Sequence, residues 1–313
     1  METAMNGKVA RMICAVAGLL ASMAGEADAS QVIRDLIAKD AATGTRISYS
    51  VYLPYTGPDA DDTSVPSFPV VYLLHGFGAS SNEWIERLEL AKTLDAAIAT
   101  GRIAPVIAVM PDAGKSWYVD SVTFGDVETA IMAALIPEID RRFSTKKDAR
   151  ARAIAGLSMG GFGALRLAFK YPDSFAAVAA LSAGLFKPGG VSWQHGPDAA
   201  RRRNVDHWYG GTFGSPFDID LYIAESPFSY VSQIAAAASP PEILLIVGDD
   251  DWFGSYDGTL EMFLDLRAAG LKPELRVADG GHDGRLWRRM IPGTFSIHAL
   301  EQTLRLPVGP ASA

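Results

Sequence analysis

Short, almost solid apolar runs recur along the chain, and stretches with helical spacing separate them. The runs cover residues 69–74, 105–110, 153–155, 175–181, 242–247 and 274–277. A strand that alternates apolar and polar residues has one wet face; a solid run is buried on both, as in a parallel sheet covered by helices. Helical spacing occupies 83–100, stopped by Gly101, and 126–143, where Pro137 predicts a kink or a break. It returns in the segment ending at Tyr171, in 258–269 before Gly270, and in a last stretch running to Leu306. Residues 31–39 and 45–53 have β character, and the polar link at 40–44 makes them a hairpin. Strands alternating with helices predict an α/β protein with a mostly parallel, doubly wound sheet and helices on both faces.

Two segments depart from this rhythm. Residues 182–241 are rich in Gly, Pro and aromatic residues with only short periodic pieces, which reads as a lid-like insertion in a single domain spanning 30–313. At the other end, Lys8 and Arg11 precede a small-residue apolar stretch at 12–23, and Ala27-Asp28-Ala29 supplies an A-x-A cleavage site. Residues 1–29 therefore read as a cleavable signal peptide. The expected location is the periplasm or the exterior, with no stable membrane insertion after the signal is removed. The single cysteine, Cys14, lies in that segment, so the processed chain has no thiol for disulfides, catalysis or metal binding. The net charge of -8, with no basic stripe, excludes a nucleic-acid partner.

The chemistry concentrates where apolar runs end. Ala153-Ile154-Ala155 leads into Gly156-Leu157-Ser158-Met159-Gly160, a G-x-S-x-G sequence with a strand before it and a helix after it. A serine hydroxyl is a weak nucleophile, so it must project from a tight turn towards a base, beside N–H groups that receive the developing oxyanion. The glycines remove side chains where strand and helix converge.

The base is expected at His282, in Gly280-Gly281-His282-Asp283 after the last strand, and the acid among Asp249, Asp250 and Asp251. A Gly-x-x-Asp turn from Gly248 selects Asp251, with Asp250 as the alternative; a calcium site on the triplet lacks further ligands at useful spacing. The chain order Ser, Asp, His is that of the α/β hydrolases. Oxyanion donors are expected at the N–H of Met159, next to the nucleophile, and of Phe77, in the His75-Gly76-Phe77-Gly78 loop. His75 there supports loop geometry more than chemistry. No metal and no cofactor are expected.

These residues resemble the "putative esterase" branch of the α/β hydrolases. That branch includes feruloyl and acetylxylan esterases, tributyrin-type esterases, S-formylglutathione hydrolases and antigen 85 mycolyltransferases. The matching stretches begin at Tyr72, Met110, Ile136, Ala155, Val247 and Gly280 and run in the family's order. The resemblance implies an α/β-hydrolase fold with Ser158 as nucleophile, Asp251 as acid and His282 as base. It also sets Ser116, Trp117 and Tyr118 beside the acyl or alcohol pocket, with His75 and Gly76 as further lining candidates. The expected activity is hydrolysis of a small-molecule or carbohydrate ester through an acyl-enzyme. The alternatives are antigen 85-type acyl transfer to a sugar or lipid alcohol, and a silent binding protein on the same scaffold. An S-formylglutathione substrate is cytoplasmic and fits the export signal poorly. Nothing in the pattern specifies an oligomer.

Overall fold

The computed structural model describes residues 30–55, 67–192 and 205–294. The expected signal at 1–29, Trp193 of the expected 182–241 insertion and the expected end of the last helix at Leu306 lie outside these residues. The strands are β1 (Gln31–Lys39), β2 (Arg46–Leu53), β3 (Val70–Leu74), β4 (Ile107–Pro111), β5 (Asp120–Ser121), β6 (Gly125–Asp126), β7 (Arg152–Leu157), β8 (Ala177–Leu181), β9 (Glu242–Gly248) and β10 (Glu274–Ala278). The helices of seven or more residues are α1 (Leu90–Ala99), α2 (Ile136–Arg142), α3 (Met159–Lys170), α4 (Ile219–Glu225), α5 (Ser255–Ala268) and α6 (Gly284–Thr294).

Eight strands form one sheet in the order β1-β2-β4-β3-β7-β8-β9-β10, and β5 pairs with β6 in a separate two-residue hairpin. The predicted β1–β2 hairpin is present, and β2 also runs antiparallel to β4. Every other pair in the large sheet is parallel. Asp40 closes the hairpin turn, its carboxylate accepting the N–H groups of Ala42 and Thr43 and the Thr43 hydroxyl. The arrangement is that of an α/β hydrolase, as expected.

Period-2 alternation sends neighbouring strand residues to opposite faces. Val70, Tyr72 and Leu74 pack with Phe162, Leu165 and Phe169 of α3 on one face, whereas Val71 and Leu73 pack with Leu94 of α1 and Ile291 of α6 on the other. Both faces are dry, which explains the solid apolar runs.

The helical stretches differ in detail from expectation. The 83–100 stretch divides: Glu83–Arg87 forms a π turn, and Glu89, at φ +53°, breaks the path before α1. Glu83 and Trp84 of the π turn are buried. The 126–143 stretch stays helical through Pro137, with a π-wound segment at Ala130–Leu135 and the proline in the first turn of α2, where a missing N–H is tolerated. The 258–269 helix starts earlier, at Ser255. Within 182–241, the described residues form Val205–Trp208, α4, a 3₁₀ turn at Pro227–Tyr230 and Val231–Ala235.

An ion network locks that segment onto α3. Arg166, fully buried, pairs with Glu128 at 2.6 Å and with Glu225 at the end of α4, while Lys170 reaches Glu128 at 2.8 Å. A buried charge without partners costs several kcal/mol, so these groups hold one another in place. No helix among the described residues is long and apolar enough to cross a membrane.

The sheet and α3 meet at glycines. A Cβ on Gly160 would lie 2.1 Å from the Leu74 carbonyl oxygen, and one on Gly156 would lie 2.1 Å from that of Gly160. Both contacts are with backbone, which cannot rotate aside. Gly160→Ala is therefore expected to destabilise the fold by about 3 kcal/mol, read as a lower midpoint in urea unfolding. An unchanged midpoint would contradict this packing.

Candidate active site

Ser158 sits between β7 and α3 at φ +55° and ψ −120°, a conformation that strains any residue with a side chain. Its backbone is held from three sides: its N–H donates to the Leu181 carbonyl at 2.9 Å, and its own carbonyl accepts the N–H groups of Phe162 and Gly184 at 3.1 and 3.0 Å. Gly156, Gly160 and Gly161 provide the clearance, and a Cβ on Gly161 would meet the Ala183 methyl at 2.9 Å.

Three sequence-predicted residues come together here. His282 Nε2 lies 2.8 Å from Ser158 Oγ, and its Nδ1 lies 3.0 and 3.2 Å from the two carboxylate oxygens of Asp251. The Asp251 side chain is fully buried and that of His282 is nearly so. Asp251 Oδ1 also accepts the Phe253 N–H at 3.0 Å, which aims the carboxylate. Asp249 and Asp250 are exposed, and Asp251 is the member of the triplet that meets His282. Asp249 supports the neighbouring backbone instead, its carboxylate accepting the Gly280 N–H at 3.0 Å and steadying the His282 loop. With Asp279 the two exposed acids bring oxygens within 4.8 Å of one another, but Asp251 is not among them.

Opposite His282 the chain turns through Gly76, Phe77, Gly78 and Ala79. Gly76 N–H donates to Glu83 Oε2 at 2.7 Å, Gly78 N–H to the Gly114 carbonyl at 2.9 Å, and Ala79 N–H to the Gly76 carbonyl at 3.1 Å. Among the described residues only the Phe77 N–H of these four has no acceptor. Met159 opens α3, where a first-turn N–H has no helical carbonyl to receive it. Both N–H groups expected as oxyanion donors therefore lack a backbone acceptor among the described residues.

Glu83 carries no distinguishing signal in the sequence, where it reads as the start of a helix. It is buried, and Arg87 meets its other oxygen at 2.7 Å. The Arg87 guanidinium lies over Trp287, 5.4 Å from the ring centroid, and Trp287 stands edge-on to His282 at 5.1 Å. One run of contacts joins the Phe77 loop to the imidazole.

The five lining candidates separate. Gly76 and Trp117 border a cleft of about 280 Å³ that also contains Ser158 and His282. His75, Ser116 and Tyr118 are fully buried behind it. His75 donates from Nδ1 to the Gly76 carbonyl at 2.7 Å and accepts the Ala113 N–H on Nε2 at 2.9 Å, and burial pushes its pKa below the ordinary value. Both nitrogens are spent on the neutral ring, so its place is in the loop framework. Ser116 Oγ accepts the Tyr118 N–H at 3.1 Å, and Tyr118 donates its hydroxyl to the His75 carbonyl at 3.0 Å. Trp117 and Tyr118 both adopt left-handed backbone, φ +54° and +60°, where large side chains are rare. Arg166 Nη1 donates to the Tyr118 carbonyl at 3.3 Å and the Trp117 indole N–H to the Trp208 carbonyl at 2.7 Å, which holds them there.

Aromatic rings form the rest of the cleft. Phe77 meets Trp208 at 5.0 Å, while Trp252 and Phe253 flank His282 at 5.7 and 4.9 Å. Trp252 remains 59% exposed at the mouth. Of the lid aromatics anticipated in the sequence, Trp208 borders the cleft, whereas Tyr209 and Phe213 are core residues and Phe217 packs against that core.

Comparison with known proteins places this geometry in a lineage. A family described as "Putative esterase" matches residues 41–294. The chain belongs to that family. Among its relatives, an endo-1,4-beta-xylanase/feruloyl esterase of Xylanibacter ruminicola is 34% identical over 151 residues, which is 47% of this chain and 21% of that protein. An esterase of Mycobacterium tuberculosis is 31% identical over 245 residues, 72% of this chain and 51% of that one. The chain thus spans about half or less of the length of these two relatives. A solved ferulic acid esterase superposes with a TM-score of 0.70 at 24% identity, covering 89% of this chain and all of that one, which shows a shared fold.

The buried His75 makes a pH-dependent contribution to stability. The unfolded chain takes up its proton near pH 6.5, while the folded chain does so only at lower pH, so unfolding free energy falls as pH drops below about 6.5. His75→Asn is expected to flatten that decline by up to about 1.4 kcal/mol per pH unit, measured by urea unfolding from about pH 7.5 to about pH 5.5. An identical slope in the variant would contradict the assignment.

Proposed function

We propose that the protein is a serine carboxylic-ester hydrolase acting on acyl or feruloyl esters of carbohydrates. The observation that carries the proposal is the unbroken hydrogen-bond line from Ser158 Oγ through His282 to Asp251. In the resting state Ser158 O–H donates to His282 Nε2, and His282 Nδ1–H donates to Asp251. As Oγ attacks the ester carbonyl, Nε2 takes the hydroxyl proton, and Asp251 stabilises the imidazolium without itself being protonated. The carbonyl oxygen, now negative, receives the Phe77 and Met159 N–H groups. Collapse of the tetrahedral species breaks the bond to the alcohol oxygen, which takes the proton from Nε2 and departs. Water then repeats the sequence on the acyl-enzyme: Nε2 removes its proton, the acid leaves, and Ser158 regains its hydrogen.

The alcohol must depart beside His282, because Nε2 delivers its proton. The groups at that end are Trp252, Trp287 and Arg87, and the exposed face of Trp252 suits the apolar face of a sugar ring. The acyl group lies at the Phe77, Trp117 and Trp208 end, where three rings favour an aromatic or short acyl chain. The segment bearing Trp208 serves as the lid. The N-terminal pattern supports export, and amino-terminal sequencing of the secreted protein is expected to begin near Ser30.

On a p-nitrophenyl acyl series with a feruloyl ester, Ser158→Ala is expected to lose at least about 10⁴-fold in kcat and Asp251→Asn about 10³- to 10⁴-fold. Asp250→Asn should remain within about twofold, because its exposed side chain makes no hydrogen bond to His282 among the described residues. Equal losses at Asp250 and Asp251 would contradict the triad, and transfer of the acyl group to an added sugar faster than to water would favour acyl transfer.

Glu83 is a positioning residue: by holding the Gly76 N–H it leaves Phe77 as the donor that faces the cleft. Glu83→Ala is expected to lower kcat by about 10- to 100-fold with KM little changed, since the lost effect is on the transition state. A rise in KM alone would assign Glu83 to substrate binding instead.

A further inference from the structure

A second cavity, about 620 Å³ and larger than the catalytic cleft, lies between the β1–β2 turn and the β5–β6 hairpin. It opens on the same edge of the sheet as Ser158. Because β2 runs antiparallel to β4, the hairpin turn stands at the carboxyl end of β4, and the Asp112 N–H just past β4 donates to the Ser48 carbonyl at 2.9 Å. The floor is Asp112, Ala113 and Gly114. The other side of that loop belongs to the catalytic cleft: Ala113 N–H holds His75, and the Gly114 carbonyl holds the N–H of Gly78, which borders the cleft. One turn of backbone separates the two spaces.

The lining has a different chemistry from the aromatic cleft. Arg46 and Asp126 are exposed and make no ion pair or side-chain hydrogen bond among the described residues. Asp112 uses Oδ1 on the Ser81 N–H, and its second oxygen has no hydrogen-bond partner among the described residues. The half-buried ring of Phe124 provides an apolar face, and the Ser48 hydroxyl is exposed. At Gly44, Gly114 and Gly125, all at positive φ, an added Cβ would meet nothing within 4 Å, so backbone is presented to open space. Two carboxylates against one guanidinium disfavour an anionic ligand, and a mainly polar wall disfavours an acyl chain. Carboxylate, guanidinium and hydroxyl groups around one ring match a neutral, hydroxyl-rich ligand with an apolar face.

We propose that this cavity is a subsite for the neutral oligosaccharide chain that carries the ester, away from the scissile bond. The inference rests on the carbohydrate-ester reading above. It gives the enzyme a preference for polymer-borne esters that the small catalytic cleft does not provide, because the second contact is made by the same ligand and adds to the first.

The test uses the full chain and two readouts. Unesterified xylohexaose, cellohexaose and mannohexaose are titrated calorimetrically into the wild type and into Phe124→Ala/Asp126→Asn. One of the sugars is expected to bind the wild type with a Kd below about 10 mM and the variant at least about tenfold more weakly. In parallel, kcat/KM of the variant for p-nitrophenyl acetate should stay within about twofold of the wild type, while that for an acylated hexasaccharide falls at least about fivefold. No binding by any of the three sugars, equal affinity in the variant, or equal losses on both esters would overturn the subsite. Sugar binding that is lost in the variant, in a protein that hydrolyses no ester, would instead keep the subsite and remove the esterase reading.

Discussion

Backbone-to-backbone contact at the end of β7 is the constraint on which the rest of the structure depends. Ser158 occupies a strained conformation because β7, β3 and α3 approach more closely than side chains allow, and Gly156 and Gly160 are the residues that let them. A turn of this kind is stable only when its surroundings over-determine it. Here the dry sheet, the buried face of α3 and the Leu181, Phe162 and Gly184 hydrogen bonds do so together. The large parallel sheet is the platform that keeps one hydroxyl pointed at one imidazole.

Around that platform, polar groups are used to hold loops more than to touch a ligand. His75, Glu83, Asp112, Asp249 and Arg166 each spend side-chain atoms on backbone groups of a loop that frames the cleft. The N–H groups of Phe77 and Met159 have no backbone acceptor among the described residues, and in the proposed reaction they are the dipoles that would meet the developing charge. The Glu83–Arg87 pair also keeps a buried carboxylate at the cleft from standing alone.

Much of this was legible in the sequence because strand ends and glycines are local signals. The solid apolar runs placed the sheet, the G-x-S-x-G stretch placed Ser158, and the loops after the last strands contained Asp251 and His282. Residues whose role depends on distant partners were hidden. Glu83 looks like the start of a helix until the π turn carries its carboxylate to Gly76, and Trp252 and Trp287 read as ordinary aromatic residues until they close around His282. For Ser116 and Tyr118 the difficulty is the reverse: their neighbour Trp117 borders the cleft, but their own side chains are buried and spent on backbone groups of the loop. Pro137 predicted a break that the π-wound turn before it absorbs.

The most direct test of the account is to capture the covalent intermediate. The protein would be mixed with a slowly deacylating feruloyl or acyl p-nitrophenyl ester, quenched in acid within the first turnover, digested and mapped by mass spectrometry. The account predicts one acyl mass added to the peptide containing Ser158, absent after full turnover. An adduct on another residue, or ester turnover with no adduct at all, would contradict it.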